Sequence, residues 1–96
     1  MAKSHVKRMV LDILKPHIPN ALEFAQRLAQ VGEDYHVSLT VLEIDEATQT
    51  IQIDVTGNSI HFEALQLAIN EMGGSLHSID VVEVSSQPTQ NTQDQS

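Results

Sequence analysis

The segment Val10–His17 constrains the fold more than any other part of the chain. Its aliphatic residues are followed by Pro16, which predicts a buried strand that ends in a sharp turn. One residue does not suit a buried strand, because Asp12 stands in the middle of the segment. A lone carboxylate is costly to bury unless a partner neutralises it. Asp12 is therefore the first candidate for a functional residue.

Hydrophobic periodicity predicts four strands and two helices. The predicted strands cover residues 6–14, 35–44, 50–56 and 76–84, and the predicted helices cover 20–31 and 61–72. With right-handed crossovers, this order gives a ferredoxin-like βαββαβ sandwich of the α+β class. We expect a four-stranded antiparallel sheet with both helices on one face. The first and third strands should be central, with the fourth strand beside the first.

The chain is predicted to form a single domain over residues 1–84, followed by a polar tail over residues 85–96. The tail contains no apolar residue and is rich in Gln, Ser and Thr. Such a composition cannot bury enough surface to fold, so we expect the tail to be disordered. The polar residues before Val6 are expected to fray.

Composition excludes several classes of function. Without cysteine, the chain has no disulfide, thiolate nucleophile or iron–sulfur cluster. A net charge of −8 and only three aromatic residues argue against nucleic acid as a partner. No apolar run is long enough for a membrane span, which argues against a membrane partner and makes a cytoplasmic protein the default expectation.

The sheet face opposite the helices, which we call the open face, is expected to carry bulky apolar residues. By strand parity these residues are Val10, Leu14, Leu42, Ile44 and Val82. A solvent-exposed face is normally polar, and an apolar patch usually marks a contact surface. The pattern therefore predicts a homo-oligomer that assembles through the open face. The alternative is that the edge strands bulge and turn some of these residues inward.

Two interpretations of Asp12 follow from its position on the open face. Arg8 is four residues away on the same strand, so the pair could belong to an ion-pair network within an oligomer interface. Asp80, on the neighbouring strand, is expected to face the same side. Two carboxylates would favour a divalent cation, calcium or magnesium, as a cofactor.

Histidines add a weaker possibility. His17, in the proline-rich turn, and His77, at the start of the last strand, are expected near one edge of the sheet, where they could hold a transition metal. His77 has the opposite parity from Asp80 and joins that site only if the strand starts after it.

Known catalytic motifs are absent, which favours a non-enzymatic protein. An enzyme with a site shared across a subunit interface, built from His17, His77 and Asp12, is the alternative.

Four segments resemble one known family, the small and mostly archaeal proteins called domain of unknown function 211. Residues Val6–His17 are similar to its opening motif, and Val41–Asp45 to its hairpin strand. Residues Glu71–Gly74, followed by His77–Asp80, resemble its closing motif. The resemblance implies a ferredoxin-like fold and an oligomer, and it carries no established activity.

Two residues depart from the family pattern. Val81 replaces a glutamate that usually follows the Ser-Ile-Asp run, and His61 replaces an acidic residue at the start of the second helix.

Taken together, the sequence predicts a non-enzymatic, homo-oligomeric module with a binding or regulatory role. A divalent-cation-binding protein that uses Asp12 and Asp80 is the main alternative.

Overall fold

The computed structural model describes residues 2–88 and has the predicted order of elements. Its elements are β1 (Ala2–Pro16), α1 (Ala21–Ala29), β2 (His36–Ile44), β3 (Thr48–Thr56), α2 (Phe62–Glu71) and β4 (Ser75–Pro88). The four strands form one antiparallel sheet in the order β2-β3-β1-β4. This arrangement confirms the ferredoxin-like α+β fold, with β1 and β3 in the centre.

Both helices pack on the same face of the sheet. Leu11 of β1 lies in register with Ile53 of β3, and both side chains are fully buried. Phe24 of α1 and Leu65 of α2 belong to the same buried cluster. Burial of each side chain of this size contributes about 1.5–3 kcal/mol, so this face holds the fold together.

The helices begin and end for identifiable reasons. Asn20 accepts a hydrogen bond from the Glu23 backbone N–H at 2.9 Å and so caps α1 as the sequence predicts. His61 caps α2 without a side-chain bond, but its backbone N–H donates to the Tyr35 hydroxyl at 2.7 Å. Gly73, at φ +82°, ends α2. Neither helix within residues 2–88 is long and apolar enough to cross a membrane.

Strands β1 and β4 extend further than their side chains predict. Residues Ala2–His5, expected to fray, pair with Ser85–Pro88, so the first four residues of the predicted tail are part of β4. The prediction of disorder is therefore wrong for these four residues. Backbone hydrogen bonds of a ladder need no apolar side chain, which is why composition did not reveal this pairing. Residues 89–96 of the predicted tail lie outside the described residues.

The edge strands contain β-bulges that shift their register. In β4, Val10 pairs with Val81 but Leu11 pairs with Ile79, which leaves Asp80 as an extra residue. His77 is skipped in β4 and Leu42 in β2 in the same way. Because side chains alternate along a strand, each extra residue reverses the faces occupied by the residues beyond it.

These bulges change the composition of the open face. Val82 lies in register with Met9, and Ile44 lies in register with Gln49, on the side that the helices cover. The prediction that Val82 and Ile44 lie on the open face is therefore wrong. Val81 takes the position expected for Val82. The open face is accordingly less apolar than strand parity alone predicts.

Candidate functional site

The main candidate site is a pocket of about 260 Å³, lined by Asp12, Ile13, Leu14, Thr50 and His77. We call it the Asp12 pocket. Thr50 of β3 pairs directly with Leu14 of β1, so both side chains lie on the open face next to Asp12. The pocket thus combines a carboxylate, a hydroxyl and an imidazole with an aliphatic wall.

Asp12 differs from the other described residues of this pocket in having a buried polar atom that lacks a partner. Its Oδ1 atom is buried and has no hydrogen-bond partner among the described residues. Its cross-strand neighbours, Gln52 on β3 and Ser78 on β4, do not bond to it. A buried acceptor without a partner costs about 1–3 kcal/mol. The structure therefore gives Asp12 no internal bond that would explain its place in a central strand.

His77 reaches the pocket because of a bulge. The register passes from Asp12–Ser78 to Ile13–Leu76, so His77 is an extra residue opposite the step between Asp12 and Ile13. From parity alone, His77 would join Asp12 only if the strand began after it. The strand begins before it, at Ser75, and the bulge brings the imidazole to the pocket instead.

Asp80 lies outside this pocket. Its Oδ1 accepts a hydrogen bond from the Ser78 hydroxyl at 2.7 Å, and its side chain is exposed. Within residues 2–88, no group of three or more His, Asp or Glu side chains is placed to hold a metal ion. Of the four predicted ligands, the structure brings Asp12 and His77 together and places Asp80 and His17 elsewhere.

His17 contacts the turn between β2 and β3. Its Nε2 atom lies 2.9 Å from the Asp45 carbonyl oxygen and 3.0 Å from that of Glu46, so a protonated Nε2 donates to both. The expected approach of His17 to His77 does not occur, because Pro16 pairs with Thr48 and directs the turn toward β3. His17 therefore has a visible structural role.

Arg8 has different partners from those expected. Its guanidinium forms ion pairs with Asp54 at 2.9 Å and with Glu83 at 3.0 Å, so within the described part of one chain it pairs with these carboxylates and not with Asp12. Hydrogen bonds to Asp54, and then to Glu83, raise the pKa of Arg8 above its already high ordinary value. A register shift in the β1–β4 ladder places Glu83 opposite Arg8, which residue spacing does not reveal.

Lys15 is a buried cation that the sequence analysis missed. Its side chain is fully buried, and Nζ donates to the Pro16 carbonyl at 2.7 Å and to Gln49 Oε1 at 3.2 Å. Nζ also lies 5.6 Å from the centre of the Phe24 ring. Burial lowers the pKa of Lys15. The signal was present in the sequence, since Lys15 continues the alternation of the buried face.

A second pocket, of about 210 Å³, lies at the other end of β1 and is lined by His5, Lys7, Asn58, Ser59 and Gln87. His5 Nδ1 lies 3.3 Å from the Ser59 hydroxyl, and Lys7 Nζ donates to the Asn58 carbonyl at 2.7 Å. A catalytic serine needs a histidine that a third group orients. Among the described residues no carboxylate bonds to His5, so this pair does not form a triad.

The sheet order, the two helices on one face and the pocket on the other define a small ferredoxin-like α+β protein with a candidate ligand site. The chain matches the model of the family called domain of unknown function 211, described as uncharacterized ArCR, over residues 7–95. An uncharacterized protein of Methanocaldococcus jannaschii is 40% identical over 77 residues, which cover 80% of this chain and 79% of that protein. The chain therefore belongs to this family, as its motifs predict.

Proposed function

We propose that the chain is a non-enzymatic binding module that works as a homo-oligomer. The observation that carries the binding role is the buried, unpartnered oxygen of Asp12 in a pocket that also contains His77 and Thr50. Proteins depart from the rules of stable design mainly at functional sites. An unsatisfied carboxylate in a central strand is a departure of this kind.

The contacts of the pocket support binding rather than catalysis. Asp12 Oδ1 makes no hydrogen bond to Thr50 or His77 among the described residues, which is unlike the bonded nucleophile and base of a catalytic site. His17, the third residue of the alternative interfacial enzyme, is engaged with the β2–β3 turn.

A divalent cation is one candidate ligand, favoured by the unpaired Asp12 oxygen. Calcium or magnesium would take oxygen ligands from the Asp12 carboxylate and the Thr50 hydroxyl and would rely on water for the others. Asp80 would add a second carboxylate only after leaving the hydroxyl of Ser78.

Strand β4 supports the proposed self-association. It lies at the edge of the sheet and carries four exposed aliphatic side chains: Ile79, Val81, Val82 and Val84. An edge strand offers unpaired backbone N–H and C=O groups to another chain, and exposed aliphatic residues add an apolar contact. Val81 also lies in register with Val10, so this contact continues onto the open face. We propose that copies of the chain join through β4 and this part of the open face.

Light scattering after size exclusion tests the assembly. We expect the wild type to be an oligomer at micromolar concentration and Val82→Lys to run as a smaller species. A lysine there would place an unpaired charge in the interface, which costs several kcal/mol. Gln26→Lys, on the exposed side of α1, adds the same charge and should keep the wild-type size. A monomeric wild type would refute the assembly.

A further inference from the structure

We propose that the Asp12 pocket binds a small organic cation, a primary alkylammonium compound, rather than a metal ion. This inference rests on the proposed binding role and names the class of ligand. It follows from three features of the lining: the number of hydrogen-bond acceptors, the single carboxylate and the aliphatic wall.

The acceptors match an ammonium group in number. Asp12 supplies a carboxylate, Thr50 a hydroxyl oxygen and His77 a ring nitrogen. An alkylammonium carries three N–H donors and no acceptor, so each donor can meet one of the three side chains. The bond to Asp12 is charge-assisted and stronger than a bond between neutral groups. It would also offset the negative charge that no described residue pairs with.

The size and wall of the pocket suit a ligand with a hydrocarbon body. A volume of about 260 Å³ exceeds what a single ion fills and falls just below the range of about 300–1,000 Å³ for small-molecule pockets. Leu14 lines the pocket and is 42% exposed. An alkyl chain that leaves the ammonium group can cover this side chain and remove apolar surface from water.

Other ligand classes fit less well. Calcium takes six to eight oxygen ligands and magnesium demands octahedral geometry, whereas this lining offers one carboxylate. No lysine or arginine lines the pocket, and the chain carries a net charge of −8, so an anion would meet an uncompensated carboxylate. A cation with an apolar body is the class of ligand that can contact both the Asp12 carboxylate and the aliphatic wall of the pocket.

The test is a titration of the full chain with n-butylamine, charged at neutral pH, followed by NMR at constant ionic strength. We expect saturable shifts at Asp12, Thr50 and His77. Asp12→Asn should weaken binding roughly tenfold to a hundredfold, as expected for loss of a charged hydrogen bond. Asp80→Asn, a carboxylate outside the pocket, should bind within about twofold of wild type. Because Asp12 Oδ1 has no hydrogen-bond partner within residues 2–88, Asp12→Asn should melt no lower than wild type.

Parallel titrations with n-butanol, calcium and magnesium complete the experiment. Butanol has the same hydrocarbon chain without the charge, and we expect it to bind at least tenfold more weakly than butylamine. If butanol binds equally well, or if Asp12→Asn binds butylamine as wild type does, the inference is overturned. Binding of a metal but not of butylamine, lost in Asp12→Asn, would overturn the ligand class and leave the binding role intact. If no probe binds in a manner that depends on Asp12, both proposals fail.

Discussion

Arg8 of β1 holds Asp54 of β3 through two hydrogen bonds, from Nε to Oδ1 at 3.1 Å and from Nη2 to Oδ2 at 2.9 Å. A third nitrogen, Nη1, donates to Glu83 of β4 at 3.0 Å. One guanidinium therefore links three neighbouring strands across the open face. Both side chains of the Arg8–Asp54 pair are 34% exposed, so water and salt screen the attraction.

A double-mutant cycle should measure this link. We expect Arg8→Ala and Asp54→Ala to show a coupling free energy of about 0.5–1 kcal/mol in urea melts, reduced at high salt. Arg8→Ala combined with Asp12→Asn serves as the control and should show no coupling, because Arg8 does not contact Asp12. A larger coupling with Asp12 than with Asp54 would contradict the observed pairing.

The fold could be predicted because its central strands are regular. Leu11 and Ile13 on β1, and Ile51 and Ile53 on β3, alternate without interruption and are all fully buried. Such alternation fixes both the strand and its buried face. Asn20 similarly marks the start of α1, because its side chain can accept the bond that the first turn leaves free.

The candidate site could be predicted only in part, because the alternation of residues along a strand does not show where a bulge reverses it. Asp12 was found by its chemistry, as a carboxylate in an apolar strand. His77 and Asp80 are both extra residues of β4, and no glycine or proline at either position marks the bulge. Parity therefore placed Asp80 beside Asp12 and admitted His77 only if the strand started after it, whereas the structure places His77 in the pocket. Thr50 was missed because a threonine on an exposed strand face is unremarkable by pattern alone.

Lys15 should make stability depend on alkaline pH. Its pKa is lowered from the ordinary value of 10.5 because burial removes the ammonium from water. Below the lowered pKa both the folded and unfolded chains are charged, and the folded chain bears the full cost of burial. As pH rises through the lowered pKa toward 10.5, the unfolded chain holds more protons, so the free energy of unfolding rises.

The matched control for this rise is Lys15→Met, which keeps a long side chain in the core and cannot titrate. Urea melts from neutral pH up to 10.5 should show a rise in the free energy of unfolding of the wild type that is absent in Lys15→Met. Other groups that titrate in this range are present in both proteins, so only the difference between them is assigned to Lys15. Parallel pH profiles of the two proteins would contradict this prediction, because they would mean that burial does not lower the pKa of Lys15.

His17 should hold the β2–β3 turn through its two bonds to backbone carbonyls. We expect His17→Ala to lower the free energy of unfolding by about 1 kcal/mol, because the Asp45 and Glu46 carbonyls lose their shared donor. The Asp45 amide, which donates to the Thr48 carbonyl at 2.8 Å across the turn, should exchange its hydrogen faster.

Comparison with a second histidine makes this test of His17 specific. His61 caps α2 without a side-chain hydrogen bond, so His61→Ala should leave exchange at Asp45 unchanged. Measuring butylamine binding at the Asp12 pocket distinguishes a structural role of His17 in the β2–β3 turn from a role in the binding site. If His17 is structural, His17→Ala should bind butylamine as the wild type does, since the turn is not part of the pocket lining. A loss of ligand binding together with unchanged exchange at Asp45 would instead make His17 a residue of the binding site, supplied by a neighbouring copy of the chain.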